Sequence, residues 1–336
     1  MAHWLPAILS FLLPLGATAL GVRLILPWLR GRVLDHPNAR SSHTQPTPRG
    51  GGIVVVAVLI VALWAIALGN NAPLRHVAII TMELGALALV SWIDDRRGAP
   101  VWLRLAVQLA AVSAGLANIG LAAFAERNGI SPWLLAIPLG LAWMWFVNLY
   151  NFMDGIDGIA GGVALSAALG WMFLATRANQ DFVFWVALAV AAGSLGFLFH
   201  NWSPAKIFMG DAGSTFLGYT FAVLPLLSAS EGGDALMLGT LLMWTFIMDA
   251  GVTFIRRALK RENVFAAHRT HVYQRLIIGG YKHAQVSALY ILLTLLAAAL
   301  AYAWSWGQPY APPLIIFGLP LLWLILSRYV RNLNPK

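Results

Sequence analysis

A succession of apolar stretches limits this fold more than any other feature: residues 4–29, 53–69, 76–93, 103–124, 132–150, 158–175, 182–199, 214–229, 235–255, 284–305 and 312–328. A helix needs about 17 to 25 apolar residues to cross a bilayer. Inside hydrocarbon the backbone must satisfy its own polar groups, which leaves helices or closed barrels, and runs this long fit helices. The chain is 60% hydrophobic and only 10% charged, against about a quarter charged for a soluble domain. The sequence therefore predicts an all-α polytopic membrane protein of about eleven transmembrane helices, a single transmembrane domain over residues 1–336. The first stretch exceeds the apolar core of a signal peptide, and no cationic segment precedes it, so it reads as a retained span. Cysteine is absent, which removes disulfides and thiolate metal sites.

The placement of charge orients these spans. If successive loops alternate sides, those after the first, third, fifth, seventh and ninth spans, with the C-terminal tail, hold 18 of the 22 Lys and Arg residues, counting Arg104 and Arg328 at span ends. The other side holds Arg75, Arg127 and Arg177, while Arg23 lies within the first span. Positive residues stay in the cytoplasm, so the N-terminus is expected outside and the C-terminus inside. The cytoplasmic loops are then 30–52, 94–103, 150–157, 200–213 and 256–283. Basic loops also favour anionic headgroups of membrane lipid. With no extramembrane domain to carry it, the charge does not indicate nucleic-acid binding.

Polar residues collect in those same loops. Asn148, Asn151, Asp154 and Asp157 recur at three-residue intervals in N-L-Y-N-F-M-D-G-I-D-G, between two apolar runs. Carboxylates beside hydrocarbon are costly and mark function. Residues at such spacing drift slowly round one helix side and can face a common cavity; one of the aspartates could instead cap the following helix. The first loop carries Asp35, Asn38, Arg40, His43 and Arg49 among prolines, then Gly50, Gly51 and Gly52, where the main chain can approach a ligand closely. Asp94 and Asp95 end the third span, where the helix dipole is already negative, so a compensating cation is expected; the bland alternative is pairing with Arg96 and Arg97. Arg104 follows, to snorkel or to hold a lipid phosphate. In K-I-F-M-G-D-A-G-S, glycines flank Asp211, Ser214 can cap the next helix, and Phe208 is either a ring for stacking or an interface anchor. In H-R-T-H-V-Y-Q-R, a helix would place His268, His271 and Arg275 on one face. Asp249 either pairs with a neighbouring helix or lines the cavity, and Glu83 and Gln108 read as interhelical hydrogen-bonding groups.

A proton or ion pathway would place polar groups near the midplane of several helices, whereas these clusters share one side. The active site is therefore expected at the cytoplasmic face. Asp and Asn with Arg, Lys and His suit Mg²⁺ and phosphates, because Mg²⁺ is typically held by one or two carboxylates plus substrate oxygens; two histidines alone make a weak case for zinc. The rival class is a lipid or solute transporter, which leaves the one-sided clustering unexplained.

In order along the chain, D-H-P-N-A-R-S-S-H…P-T-P-R-G-G-G, the D-D pair, N-L-Y-N-F-M-D-G-I-D-G, F-M-G-D-A-G-S and H-R-T-H-V-Y-Q resemble the polyprenyl-phosphate N-acetylhexosamine-1-phosphate transferases over about residues 30–280. The P-N-A-R-S-S-H and H-R-T-H-V-Y-Q forms look most like the branch that initiates O-antigen synthesis. They are unlike the peptidoglycan branch, where a run of histidines replaces H-R-T-H. The resemblance implies a bacterial inner-membrane enzyme that moves N-acetylhexosamine 1-phosphate from a UDP-sugar to undecaprenyl phosphate and releases UMP. It implies Mg²⁺, with Mn²⁺ as a substitute, on Asn151 and Asp211. Phe208 would stack on uracil, Asp154 would contact the nucleoside and Asp157 would lie nearer the sugar. His268 and Arg269 would bind diphosphate oxygens with His271 in support. Asp94 and Asp95 would sit beside the lipid phosphate, whose cation is Arg49, Arg97 or Arg104. Homodimers are common in such families.

Overall fold

The computed structural model describes residues 4–37, 43, 45–229, 234–263 and 268–333; Asn38 and Arg40 of the first loop lie outside them. Every apolar window falls on helix. The helices are α1 (Trp4–Arg30), α2 (Gly52–Gly69), α3 (Leu74–Arg97), α4 (Val101–Asn118), α5 (Leu121–Arg127), α6 (Pro132–Met153) and α7 (Ile159–Ala178). They continue with α8 (Asp181–Asn201), α9 (Gly210–Ala229), α10 (Ala235–Leu241), α11 (Trp244–Leu259), α12 (Val272–Ile278), α13 (His283–Ser305) and α14 (Ala311–Arg331), which contains a π-helical turn at Leu314–Gly318. Among the described residues nine helices are long and apolar enough to cross a membrane. The chain is an all-α, multi-pass membrane protein.

Three windows differ from the expected single spans, the first being 214–229, whose helix α9 is not among those nine. The stretch 235–255 is broken: α10 and α11 meet at 75° and together make one further candidate span. The stretch 103–124 ends early, because Gly120 adopts a left-handed conformation (φ 71°) that turns the chain into the short α5.

The core sits where the helices are most enclosed. In α7 and α8, 72% and 67% of the most apolar window is buried, against 17% in α1 and α14. Small residues on α7 let neighbours approach: a Cβ on Gly162 would come within 2.5 Å of Ile291. Such small-residue contacts are how helices pack where lipid is as apolar as the side chains. Interhelical polar pairs add to this packing. Tyr219 donates to Glu83 at 2.7 Å, and Gln108 and Asn148 exchange amide hydrogen bonds at 2.7 and 3.3 Å.

At one end of the bundle, α2 and α9 touch backbone to backbone, since a Cβ on Gly52 would lie 2.5 Å from the Gly213 Cα. Just before α2, a two-residue ribbon pairs Leu34 with Pro48 and Asp35 with Thr47. The Phe208 N–H donates to the Pro48 carbonyl at 2.8 Å, and the N–H groups of Gly51 and Gly52 donate to the carbonyls of Phe208 and Met209 at 3.0 and 2.8 Å. The glycine-rich loop and the 207–209 segment are thereby locked together, with Arg49 between them.

Candidate active site

A cavity of about 310 Å³ opens at this end, lined among others by Arg49, Asn151, Asp154, Asp157, Phe208 and Asp211. These six residues come from three stretches of the sequence, around 49, 151–157 and 208–211, that meet at the mouths of α2, α6, α7 and α9. Its volume is at the lower end of small-molecule sites, about 300–1,000 Å³.

Asp211 stands in the first turn of α9, after Gly210 at φ 77°. A side chain on Gly210 would meet both an unfavourable backbone region and the Asp95 carboxylate, which lies 2.6 Å from where its Cβ would be. Asp95, fully buried, accepts the N–H groups of Asp211 at 3.0 Å and Ala212 at 3.2 Å and holds the Arg49 Nε at 2.8 Å. It caps α9 from a neighbouring helix, satisfying donors that a helix N-terminus leaves open. Arg49 also contacts the Asp211 Oδ1 through Nη2. Burial works against its charge, but Asp211, Asp95 and Asp35 more than offset that and hold its pKa above the ordinary arginine value.

Asn151 reaches the same turn by donating from Nδ2 to the Ser214 Oγ at 2.9 Å, while that hydroxyl donates back to the Gly210 carbonyl at 3.1 Å. Ser214 therefore lies inside α9, one turn past its start and not at the expected cap, and serves as a bridge to Asn151. A cavity with one carboxylate and one amide from these two helices supplies hard oxygen donors. Among the described residues no three His, Asp or Glu side chains form a self-contained metal cage. Mg²⁺ does not require one, because substrate phosphates complete its shell, so this donor pair fits such an ion.

The opposite wall is the turn between α6 and α7. Asp154 ends α6. Burial pushes its carboxyl up to about 7; Arg49 opposes that shift, and Asp211 and Asp95 add to it. Asp157 goes the other way. Burial acts to raise it, but the hydrogen bond and charge of His283, then the Ala205 N–H and the Ser203 hydroxyl, outweigh burial and leave it below the ordinary aspartate value. The His283 Nδ1 lies 3.1 Å from the Asp157 Oδ1, and Ser287 donates to the Asp157 carbonyl at 2.7 Å. Neither aspartate caps α7, whose N-cap is Gly158 with no side-chain hydrogen bond.

Seven expected site residues lie outside the cavity lining: Asn148, His268, Arg269 and His271, together with Asp94, Asp95 and Arg104, which stand beside it. Asn148 is one helical step too far round α6, and its amide is spent on Gln108 and the Met144 carbonyl. His268, Arg269 and His271 precede α12 instead of lying on a helix, so His268, His271 and Arg275 share no helical face. His271 is the N-cap of α12 and is buried against Asp249, with Nδ1 3.2 Å from Oδ1. Asp249 also accepts the N–H groups of Val272 and Tyr273 at 2.8 and 3.1 Å and the Tyr290 hydroxyl. It is an anchor for the segment and not a cavity group. His268 packs its ring 4.9 Å from that of His271, and burial, then His271 and the arginines 257 and 256, lower its pKa to about 4. The segment reaches the cavity through Gln274, while Tyr273 ties it to the end of α6 by donating to the Phe152 carbonyl at 3.1 Å.

Asp94 and Arg104 form a flank beside the cavity. They pair at 2.5 Å, and the Arg104 Nη1 lies 3.9 Å from the Asp211 Oδ2. The cations beside the two adjacent aspartates are thus Arg104 and Arg49, whereas Arg96 lies over the rings of Trp28 and Trp92.

Asp35, His43, Gln274 and His283 also line the cavity and were not singled out as site residues from sequence. His43 packs edge-on against Phe208, with ring centroids 4.9 Å apart. Asp35 and His43 stood in a loop already marked as polar, but His283 opens a helix without a neighbouring motif to draw attention to it.

The profile of Glycosyl transferase family 4 matches residues 76–229. A probable undecaprenyl-phosphate N-acetylglucosaminyl 1-phosphate transferase of Bacillus subtilis is 29% identical over 90% of this chain and 86% of its own length. An undecaprenyl-phosphate alpha-N-acetylglucosaminyl 1-phosphate transferase of Yersinia pestis is 29% identical, over 88% and 83%. A phospho-N-acetylmuramoyl-pentapeptide-transferase of Acaryochloris marina is 30% identical over 74% of this chain and 73% of its own. By these likenesses the chain belongs to glycosyl transferase family 4, among the polyprenyl-phosphate hexosamine-1-phosphate transferases.

Proposed function

We propose that the protein transfers N-acetylhexosamine 1-phosphate from a UDP-sugar to undecaprenyl phosphate, giving undecaprenyl-diphosphate-sugar and UMP. The observation that carries this reading is the junction of α6 and α9, where Ser214 ties Asn151 to the turn bearing Asp211, with Arg49 and Phe208 in the same cavity. The reaction begins cell-envelope polysaccharide synthesis, and the P-N-A-R-S-S-H and H-R-T-H-V-Y-Q forms favour the O-antigen branch. The basic loops favour a cytoplasmic position for this end of the bundle in a bacterium, with the N-terminus across the inner membrane.

An oxygen of the lipid phosphate bonds to the β-phosphorus of the donor. The bond from that phosphorus to the bridging oxygen breaks, and UMP leaves with the electron pair. Transfer of this kind depends on positioning and charge neutralisation more than on covalent help. A phosphate monoester has a second pKa of about 6, so the nucleophile is already largely dianionic near neutral pH. Asn151 and Asp211 would hold Mg²⁺, which neutralises diphosphate oxygens when bound. Phe208 offers a face to the uracil ring, Asp154 accepts from the nucleoside and Asp157 with His283 bounds the sugar end. Arg104 holds the acceptor phosphate beside Asp94, which orients it or takes a residual proton. Asp95 positions Asp211 and Arg49 and does not itself touch substrate.

Purified protein, undecaprenyl phosphate and Mg²⁺ supplied with a panel of UDP-N-acetylhexosamines test this reading. One donor yields UMP and a lipid-linked sugar in equal amounts. Absence of both products with every donor overturns it.

A further inference from the structure

Arg49 touches a carboxylate oxygen of Asp211, the residue that would hold the metal ion. Its Nη2 contacts the Asp211 Oδ1 while its Nε holds Asp95 at 2.8 Å, and the Arg104 Nη1 approaches the other Asp211 oxygen to 3.9 Å. One oxygen of the carboxylate is thus covered by a guanidinium, and a second guanidinium, hydrogen-bonded to Asp94, stands near the other. An inner-sphere divalent cation and a hydrogen-bonded guanidinium cannot share one carboxylate oxygen without close charge repulsion. The Arg49 backbone is fixed, its N–H donating to the Val33 carbonyl at 3.0 Å and its neighbours bonded to the 208–209 segment. Only the side chain can move, and at 32% exposure it reaches into the cavity mouth. The groups facing it are Asp35, Asp95, Asp154 and Asp211.

We propose that Arg49 is a tethered counter-ion that competes with the divalent cation for Asp211, so that metal and donor diphosphate load together. The proposal rests on Asp211 being the metal ligand. A diphosphate entering the cavity gives the guanidinium a better partner, with two planar donors matched to phosphate oxygens. Its departure frees the carboxylate for the metal, and the metal-bound donor keeps it away. Linkage makes the effect mutual: whatever draws Arg49 from Asp211 raises metal affinity by the factor by which metal raises affinity for that ligand. The Asp95 contact preserves the arm's direction, so that it swings about a fixed point.

The test is Mn²⁺ binding to the purified protein without nucleotide, read as free Mn²⁺ by electron paramagnetic resonance. Loss of one charge-assisted hydrogen bond corresponds to roughly tenfold in affinity or more, so Arg49→Gln should bind Mn²⁺ at least that much more tightly than wild type. Adding UDP should tighten Mn²⁺ binding by a larger factor in wild type than in the variant. Arg49→Met, which keeps the stem and drops the charge, repeats the measurement should the Gln variant not fold. Equal affinity in wild type and variant overturns the proposal. Asp211→Asn separates the two readings. If it abolishes binding while Arg49→Gln changes nothing, only the competition fails; if it leaves binding intact, the metal assignment fails first.

Discussion

Asp95 on α3 caps the helix that presents Asp211: its carboxylate accepts the Asp211 N–H at 3.0 Å and the Ala212 N–H at 3.2 Å, and it does so fully buried. The adjacent carboxylates of the D-D pair therefore have different work. Asp94 faces Arg104 and takes the Ala99 N–H at 2.6 Å, while Asp95 supports the turn from below. Asp95→Ala should lower stability by about 2 kcal/mol or more, through a lost cap and the loss of one of the two carboxylates that hold Arg49. Asp94→Asn should lower turnover with little change in thermal midpoint. Thermal unfolding of both variants beside their rates checks this division; equal destabilisation would refute it.

Asp211→Asn and Asn151→Ala should each reduce kcat by about a hundredfold or more, the usual scale for loss of an electrostatic contact to a transition state. A Mg²⁺ titration of each variant reads the cause: part of the loss should be recovered at high Mg²⁺ in Asn151→Ala. Near-normal turnover at ordinary Mg²⁺ would remove both from the metal site.

Phe208→Ala should raise the KM for the nucleotide sugar more than it lowers kcat, because a stacked ring contributes to ground state and transition state alike. Steady-state kinetics with varied donor decide between a stacking ring and an interface anchor, for which KM would not move.

The raised carboxyl of Asp154 has a sign that can be worked out. With its folded pKa lifted from 3.8 to about 7, the group stabilises the fold while protonated, and that contribution is lost as pH rises through 7. Asp154→Asn, neutral at every pH, should therefore melt higher than wild type at pH 8 and close to it at pH 4. If the ionised form receives the nucleoside, the wild-type donor KM should rise as pH falls from 8 to 6, and the Asn variant should lose that dependence. Melting curves and donor KM at several pH values check both expectations.

His283→Ala should loosen the Asp157 turn and raise the donor KM several-fold, with His283→Gln recovering part of it. The pair is 3.1 Å apart and ties α13 to the α6–α7 turn. A comparison of KM and kcat for the two variants tests this, since a merely structural defect would lower active fraction without changing KM.

The helices were legible because hydrocarbon demands long apolar runs, and each run became helix. Arg49, Asn151, Asp154, Asp157, Phe208 and Asp211 were legible as a group because their loops share one side. Spacing misled at Asn148, where three-residue intervals drift away from the cavity and Gln108 of α4 takes the amide. Local periodicity also misled at His268 and His271. The helix there begins only at Val272, because Asp249, distant in sequence, binds the first N–H groups and fixes the start. His283 was invisible for a related reason: its partner Asp157 is 126 positions away, and no local pattern encodes a contact between a helix start and a distant turn.

The most direct test follows phosphorus. A donor labelled at the β-phosphorus, incubated with undecaprenyl phosphate, Mg²⁺ and purified protein, should deliver its label to the lipid phase while unlabelled UMP accumulates in water. Label retained in water as UDP, with sugar alone on the lipid, would show cleavage at the sugar carbon and contradict attack at the β-phosphorus.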